Sequence, residues 1–381
     1  MRVGIDARPL GMSATGIGAY IINLVEYLLK QGDVECILFA DKKLKHEFKT
    51  NSRIKFVVFP AKHRVVWEQL LLPGHISSEK LDLYHATWNY GLPLRLGCPA
   101  VLTIHDVIPL VVPGHFHSLK DKIVYQPIYR MSLELSARKA RKIIADSQNS
   151  KDDIHKLLRV PLLKIEAIPP GLGSLYRHAP EAVHVEKCKS RYGLSDPYII
   201  YTGGLDRRKN IQMLLAAFHR ALSSYGKELF LVLTGEKNFL FPEIRAKVEE
   251  LGLEGCVVFT GYVPSEDLPL LLTGASMLAY LSLYEGFGFP PLEAMACGTP
   301  VVASNTSSLP EIVGDAGILV DPHSEEDISS AMLRVLEDEK LRRELIAKGL
   351  ERAQLFKAED NARRTLAVYK EVLAQSPLTP L

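Results

Sequence analysis

Long uncharged apolar runs are missing from this 381-residue sequence: no stretch of about 18 or more apolar residues passes without a charge or a turn signal. A membrane-spanning helix is therefore not expected. Cysteine is scarce, with five residues, an odd number, and none in a Cys-x-x-Cys or Cys/His cluster. That usage fits reduced, mostly buried thiols and speaks against disulfides or a zinc site. No low-complexity tract, short-period repeat or Asp-x-Asp metal motif occurs. The first six residues, Met1-Arg2-Val3-Gly4-Ile5-Asp6, reach an aspartate too early for a secretion signal, so a cytoplasmic chain is the expectation.

A large net charge is also lacking, but the formal +2 hides a split. Up to Pro180 there are 25 Lys and Arg against 16 Asp and Glu, and beyond it 21 against 28. Halves of opposite sign suit different partners. A basic first half either meets an anionic partner or simply solvates its helix faces. Apolar residues make up 47% of the chain, enough to exclude bulk disorder. A single core rarely grows past about 250–300 residues, so two domains are expected.

Short apolar runs alternate with amphipathic segments, which predicts parallel-sheet βαβ units throughout. In the first half the predicted strands are 2–6, 34–40, 54–59, 100–105, 143–146 and 165–168, with helices over 18–30 and 120–141. The chain turns polar after Pro169-Pro170-Gly171, and the strand pattern restarts at Tyr198. Domains over 1–172 and 198–357 are expected, joined by a linker at 173–197. A closing amphipathic helix over 358–375 is expected to return to the first domain. Ligands of doubly wound α/β sheets lie beyond the carboxyl ends of the strands, and two such domains in tandem make a cleft.

Gly16-Ile17-Gly18 opens the first helix and suits a phosphate near a helix start. It fails as a dinucleotide fingerprint, because Ile21 replaces the third glycine and the strand lies about ten residues away. His105-Asp106 stands at a strand end, where it is either a site pair or a structurally satisfied histidine. Trp88, Asn89 and Tyr90 follow Tyr84-His85 and suit stacking on sugar rings. Gly203-Gly204-Leu205-Asp206-Arg207-Arg208-Lys209-Asn210 places three cations at a helix start, as a diphosphate would require. At least one of those arginines is expected only to face solvent.

The most informative segment runs from Tyr284-Glu285-Gly286-Phe287-Gly288-Phe289 through Pro290-Pro291 to Glu293 and Gly298. The prolines suit a first helical turn and Gly298 its end. Glu285 and Glu293 lie eight residues apart, and two helical turns take about 7.2 residues. Two carboxylates so spaced can face one elongated polyhydroxyl ligand.

Taken with Gly261-Tyr262-Val263, Pro300-Val301-Val302-Ala303-Ser304 and Pro310-Glu311, these motifs make the whole chain resemble the retaining glycosyltransferases of family 4, of GT-B architecture. The resemblance implies two Rossmann-like doubly wound domains facing a cleft. It implies a nucleotide-sugar donor, with Glu293 on the ribose and Glu285 on the transferred sugar beside Gly286, Phe287, Gly288 and Phe289. Arg208 and Lys209 would neutralise the diphosphate, with Gly204 near them and Gly16 and Gly18 approaching from the first domain. His105 would touch the donor sugar, and Tyr262 and Val263 the base. Many relatives carry an arginine directly after the glycine turn where this chain has Gly203-Gly204, so Arg207 is a candidate replacement.

The implied reaction is transfer of a hexose to a hydroxyl of a glycan or lipid-linked acceptor in polysaccharide biosynthesis. UDP-glucose is favoured as donor and GDP-mannose is next. No cofactor or metal is expected, because fixed cations would stabilise the departing diphosphate. A same-face displacement with retention is the expected course. Nucleic acid is not an expected partner, whereas Lys62, Arg64, Trp67 and the Arg138-Lys139-Arg141-Lys142 cluster suit an anionic membrane surface. A nucleotide-sugar epimerase or hydrolase, or a non-catalytic sugar-nucleotide binder, are the alternatives; a nicotinamide enzyme is disfavoured by the glycine spacing.

Overall fold

A computed structural model describes residues 1–11, 16–44, 46, 48, 51–112, 121–176, 181–236 and 238–375. It divides the chain into one compact unit of Met1–Gly171 with Phe356–Leu381, and a second of Leu172–Leu355. The strands of the first unit are β1 (Arg2–Asp6), β2 (Glu35–Ala40), β3 (Ile54–Val58), β4 (Leu83–Ala86), β5 (Ala100–Ile104), β6 (Lys142–Ala145) and β7 (Ile165–Ala167). They form one parallel sheet in the order β3-β2-β1-β4-β5-β6-β7. The second unit contributes β8 (Tyr198–Tyr201), β9 (Phe230–Thr234), β10 (Val257–Gly261), β11 (Met277–Tyr280), β12 (Val301–Ser304) and β13 (Ile318–Val320). Their order is β10-β9-β8-β11-β12-β13, again parallel.

Both sheets are doubly wound, so the central strands, such as β2, β4, β5, β8, β11 and β12, are buried on both faces and read as continuous apolar runs, whereas edge strand β3 leaves Phe56 and Val58 exposed. Successive residues serve opposite cores. Cys36 and Leu38 of β2 pack with Leu24 and Leu28 of helix Gly16–Lys30, while Ile37 and Phe39 pack with Trp67, Leu72 and Ile76. The closing helix Ala358–Ala374 joins the first of these cores through Ala362, Leu366 and Tyr369. Gly171 lets it do so, because a Cβ there would lie 2.2 Å from the Ala358 amide nitrogen. Several helices start on side-chain caps: Ser147 accepts from the Ser150 amide, Ser324 from Asp327 and Asp338 from Leu341.

Three features differ from the sequence expectation. The stretch expected as a linker carries helix Ala182–Arg191, whose Val185 and Cys188 are buried. That helix packs on helix Leu268–Gly274, so it belongs to the second unit, which begins at Leu172 rather than 198. Polar flanks hid its short apolar stripe. Strand β4 was not among the predicted strands, since only four buried residues carry it. Of the helix expected over 120–141, Lys120 lies outside the described residues and the regular α-helix is Gln126–Lys139. Among the described residues no helix is long and apolar enough to cross a membrane.

Gly171→Ala tests the closing contact. The added methyl meets backbone rather than a flexible side-chain end, so a loss of about 1–3 kcal/mol is expected in urea unfolding. Unchanged stability would show that the closing helix does not depend on this approach.

Candidate active site

In each sheet the strand order reverses beside the first strand, between β1 and β4 and between β8 and β11, and the loops beyond those carboxyl ends are the expected ligand seats. In the second unit the loop after β8 carries Arg208 and Lys209, and the loop after β11 carries Glu285. The two loops are stitched together by backbone: the Leu283 amide donates to the Arg208 carbonyl at 2.8 Å. Gly203 has φ +136 and Gly235 φ +133, and a Cβ on Gly235 would lie 2.2 Å from the Gly203 carbonyl. Only glycine allows the β8 and β9 ends to approach in this way.

The loops converge on one carboxylate. Glu285 Oε1 forms an ion pair with Arg208 Nη1 at 2.5 Å and accepts from Lys209 Nζ at 2.6 Å and from the Tyr280 hydroxyl at 2.9 Å. Arg208 also reaches the Asp206 carboxylate and donates to the Tyr284 carbonyl. Burial alone would raise the Glu285 pKa, but Lys209 and Arg208 hold it at about 2. Burial likewise pulls Lys209 below its ordinary value, with Glu285 opposing the fall. The result is a nearly dry set of two cations and one anion. Arg207 turns away to pair with Glu243 on the surface, so it adds no charge to this set.

The backbone of the Glu285 loop is clamped from the turn after β12. The Glu285 amide donates to Ser307 Oγ at 2.9 Å, and Ser308 Oγ donates to the Glu285 and Phe287 carbonyls. Gly288, at φ +137, then turns the chain into helix Phe289–Ala296. Pro290 and Pro291 carry no N–H, so Phe289 supplies the first-turn amide. Glu293 lies on this helix, beside Tyr176. Burial raises its pKa to about 7, with Tyr176 working against the rise.

At the end of β10 the strand bulges between Phe259 and Gly261, and Gly261 takes φ +71. Tyr262, half exposed, and Val263 follow this turn. Gly204 accepts through its carbonyl from the Tyr201 hydroxyl at 2.5 Å.

In the first unit, Gly16 begins its helix exposed and Gly18 is buried, while the loop at 12–15 lies outside the described residues. His105 is buried at the end of β5 with both ring nitrogens engaged: Nδ1 lies 2.8 Å from the Asp146 carboxylate and Nε2 3.0 Å from the Thr87 carbonyl. Burial lowers its pKa, yet Asp146 and the Thr87 carbonyl outweigh that and the net direction is up. Both ring nitrogens thus have partners within the first unit. Beside it, Arg8 is buried between Asp6 at 2.6 Å and Glu68 at 2.8 Å. Among the described residues no group of three or more His, Cys, Asp or Glu gathers as a metal site would require.

Sequence reasoning missed Tyr280, Ser307, Ser308 and Asp146. Tyr280 reads as strand, the serines as a polar turn, and Asp146 gains its role only through a tertiary contact. Family models match both parts of the chain: "Glycosyltransferase Family 4" over residues 14–172 and "Glycosyl transferases group 1" over 186–352. The chain is 33% identical to the O-antigen chain mannosyltransferase B of Escherichia coli, covering 97% of this chain and 100% of that one. It is 30% identical to the MMP alpha-(1->4)-mannosyltransferase of Mycolicibacterium hassiacum, over 77% of this chain and 71% of the relative. The solved sucrose-phosphate synthase of Thermosynechococcus elongatus superposes with a TM-score of 0.79 at 23% identity, covering 98% of this chain and 100% of that one.

An acid titration tests the Glu285 cluster. A carboxyl held at about 2 against an ordinary 4.5 adds stability that is complete above pH 4.5 and disappears as pH falls towards 2. Glu285→Gln should remove an acid-side loss on the order of 3 kcal/mol, seen by comparing unfolding of both proteins at several pH values in this window. Parallel pH profiles would contradict the pairing.

Proposed function

Because the chain belongs to glycosyltransferase family 4, with its GT-B architecture, we propose that it transfers mannose from GDP-mannose to a hydroxyl of a growing glycan in polysaccharide biosynthesis. The observation that carries the site assignment is the buried Arg208–Lys209–Glu285 cluster at the β8/β11 reversal. Mannose takes precedence over the glucose favoured by sequence because both relatives described above are named mannosyltransferases. A nucleoside diphosphate leaving a sugar develops negative charge, and fixed cations in a dry site stabilise it without rearranging at the moment of reaction. Arg208 and Lys209 are placed to do so, which supports a reaction without a metal ion. Donor binding would draw them partly from Glu285 to the phosphates and leave that carboxylate to accept sugar hydroxyls.

Glu293 is assigned to the ribose, with the Phe289 amide and the loop at 286–288 beside the transferred sugar. Tyr262 and Val263 are assigned to the base. His105, locked between Asp146 and Thr87, acts as a fixed positive charge rather than as a proton carrier. We assign retention of configuration by a same-face displacement, in which the leaving phosphate takes the acceptor proton as its bond to the sugar breaks. The alpha linkage in the name of the Mycolicibacterium relative fits retention from an alpha-linked donor.

The acceptor is placed on the first unit, at a membrane surface. Val65, Leu70, Leu71 and Leu94 are exposed there, as are Ile128, Met131 and Leu135 on helix Gln126–Lys139. The two groups are bridged by rings, with Arg64 lying 3.7 Å over Tyr90 and Tyr90 5.1 Å from Tyr129. Arg130, Arg138, Arg159 and Lys164 line an adjacent cavity of about 320 Å³. Exposed apolar side chains next to clustered cations suit an anionic lipid surface.

Transfer assays with GDP-mannose, UDP-glucose and other nucleotide sugars test the donor. GDP-mannose should be consumed only with acceptor present, in EDTA as in its absence, and Lys209→Met should lower kcat by about 100-fold or more. Preferential use of UDP-glucose, loss of activity in EDTA, or turnover without acceptor would overturn the corresponding part of the proposal.

Vesicle flotation tests the surface. The protein should bind vesicles containing phosphatidylglycerol, release substantially at about 1 M salt, and lose binding when Leu70 and Met131 are both replaced by glutamate. Binding indifferent to salt and to both substitutions would contradict it.

A further inference from the structure

The loop after β4 carries Trp88, Asn89 and Tyr90 to the reversal between β1 and β4, and none of these side chains has a part in the transfer as described. The loop has no helix or strand of its own, yet its neighbours pin it. The Asn89 side chain donates to the Asp106 carbonyl at 3.1 Å and accepts from the His105 amide at 2.8 Å. The Gly91 and Leu92 amides donate to Ser136 Oγ, on helix Gln126–Lys139, at 3.1 and 3.3 Å. Gly91 takes φ +96, and a Cβ there would lie 2.2 Å from Glu68 Oε1, a carboxylate itself held by Arg8 and Arg64. Glycine therefore lets the loop press against a buried ion pair. Its rings are in place before any ligand arrives, which spares the cost of ordering them on binding.

The two aromatic rings of the loop are not equivalent. Tyr90 is covered by Arg64, 3.7 Å from its ring centre, and meets Tyr129 edge-on at 5.1 Å. Trp88 is half-buried, with the Arg8 guanidinium 6.0 Å from its ring centre. Among the described residues its indole N–H has no hydrogen-bond partner. Trp67 shows the contrast: it is 1% exposed, stacks on Phe59 at 4.9 Å and donates to the Phe59 carbonyl. Trp88 thus keeps both apolar surface and a donor in reserve, at the strand ends where ligands of doubly wound sheets lie. A pyranose matches that combination. Its polarised C–H face lies on the electron-rich face of the indole, while the N–H, in the ring plane, reaches a hydroxyl beyond the stacked sugar. A stacked ring and an in-plane donor together span more than one sugar residue.

We propose that Trp88 is the platform on which the terminal sugar residues of the glycan acceptor stack. This rests on the reading of the acceptor as a glycan held by the first unit.

Tryptophan emission reads this contact directly, because Trp67 and Trp88 are the two tryptophans of the chain and Trp67 is already dry. The full chain, loaded with GDP, is titrated with α-linked mannotriose as a stand-in acceptor. Emission should move to shorter wavelength and saturate as the indole leaves water. Mannose, a single ring, should bind more weakly. In calorimetry Trp88→Ala should lose roughly tenfold in mannotriose affinity, whereas Trp88→Phe, which keeps a ring, should lose less. GDP should bind all three proteins alike, which reports that the variants are folded. Mannotriose that binds the native chain without moving its emission, or with unchanged affinity in Trp88→Ala, would overturn the platform and leave the glycan acceptor standing. No binding of mannotriose to the native chain would overturn the reading of the acceptor, and the platform with it.

Discussion

The second unit depends on one arrangement: a single carboxylate, Glu285, holding two adjacent cations, Arg208 and Lys209, away from water. Buried charges are costly unless paired, and breaking one partner of such a set costs far more than the set contributes. That asymmetry explains much of the surrounding architecture. The loops after β8 and β11 are joined through the Arg208 carbonyl, and Ser307 and Ser308 fix the Glu285 backbone from a third loop. Gly203 and Gly235 let the strand ends approach closely enough for the loops to meet. The proposed chemistry needs cations that do not move much when a diphosphate forms, and the fold holds Arg208 and Lys209 already largely desolvated.

The first unit solves a related problem with different residues. Charge at its strand ends is also paired internally, Arg8 with Asp6 and Glu68, and His105 with Asp146. Behind His105 a buried polar chain runs from Tyr20 through Thr103 and His85 to Tyr369 of the closing helix. Burial holds His85 down to about 3, so it stays neutral and passes hydrogen bonds rather than charge. The closing helix is thus tied to the interior of the first unit by polar contacts as well as by Leu366 and Val372.

Much of this was legible in the sequence because doubly wound sheets leave strong traces. Strands buried on both faces read as continuous apolar runs, and β1 and the helix Ala358–Ala374 were placed to within a residue at each end. Arg208, Lys209 and Glu285 were legible because cations beside glycines, and a glutamate among apolar residues, have few other uses. What escaped was whatever depends on tertiary partners. Helix Ala182–Arg191 looks polar until Val185 and Cys188 are seen against helix Leu268–Gly274. His105 was legible as a strand-end histidine, but its engagement at both nitrogens requires Asp146, 41 residues away.

The central claim is that the donor diphosphate seats on Arg208 and Lys209, releasing them in part from Glu285. A crystal structure of the full chain with GDP-mannose tests it most directly. The account requires phosphate oxygens within hydrogen-bond distance of both cations and a sugar hydroxyl on Glu285. A nucleotide bound in some other loop cluster, with Arg208 and Lys209 still paired to Glu285, would contradict it.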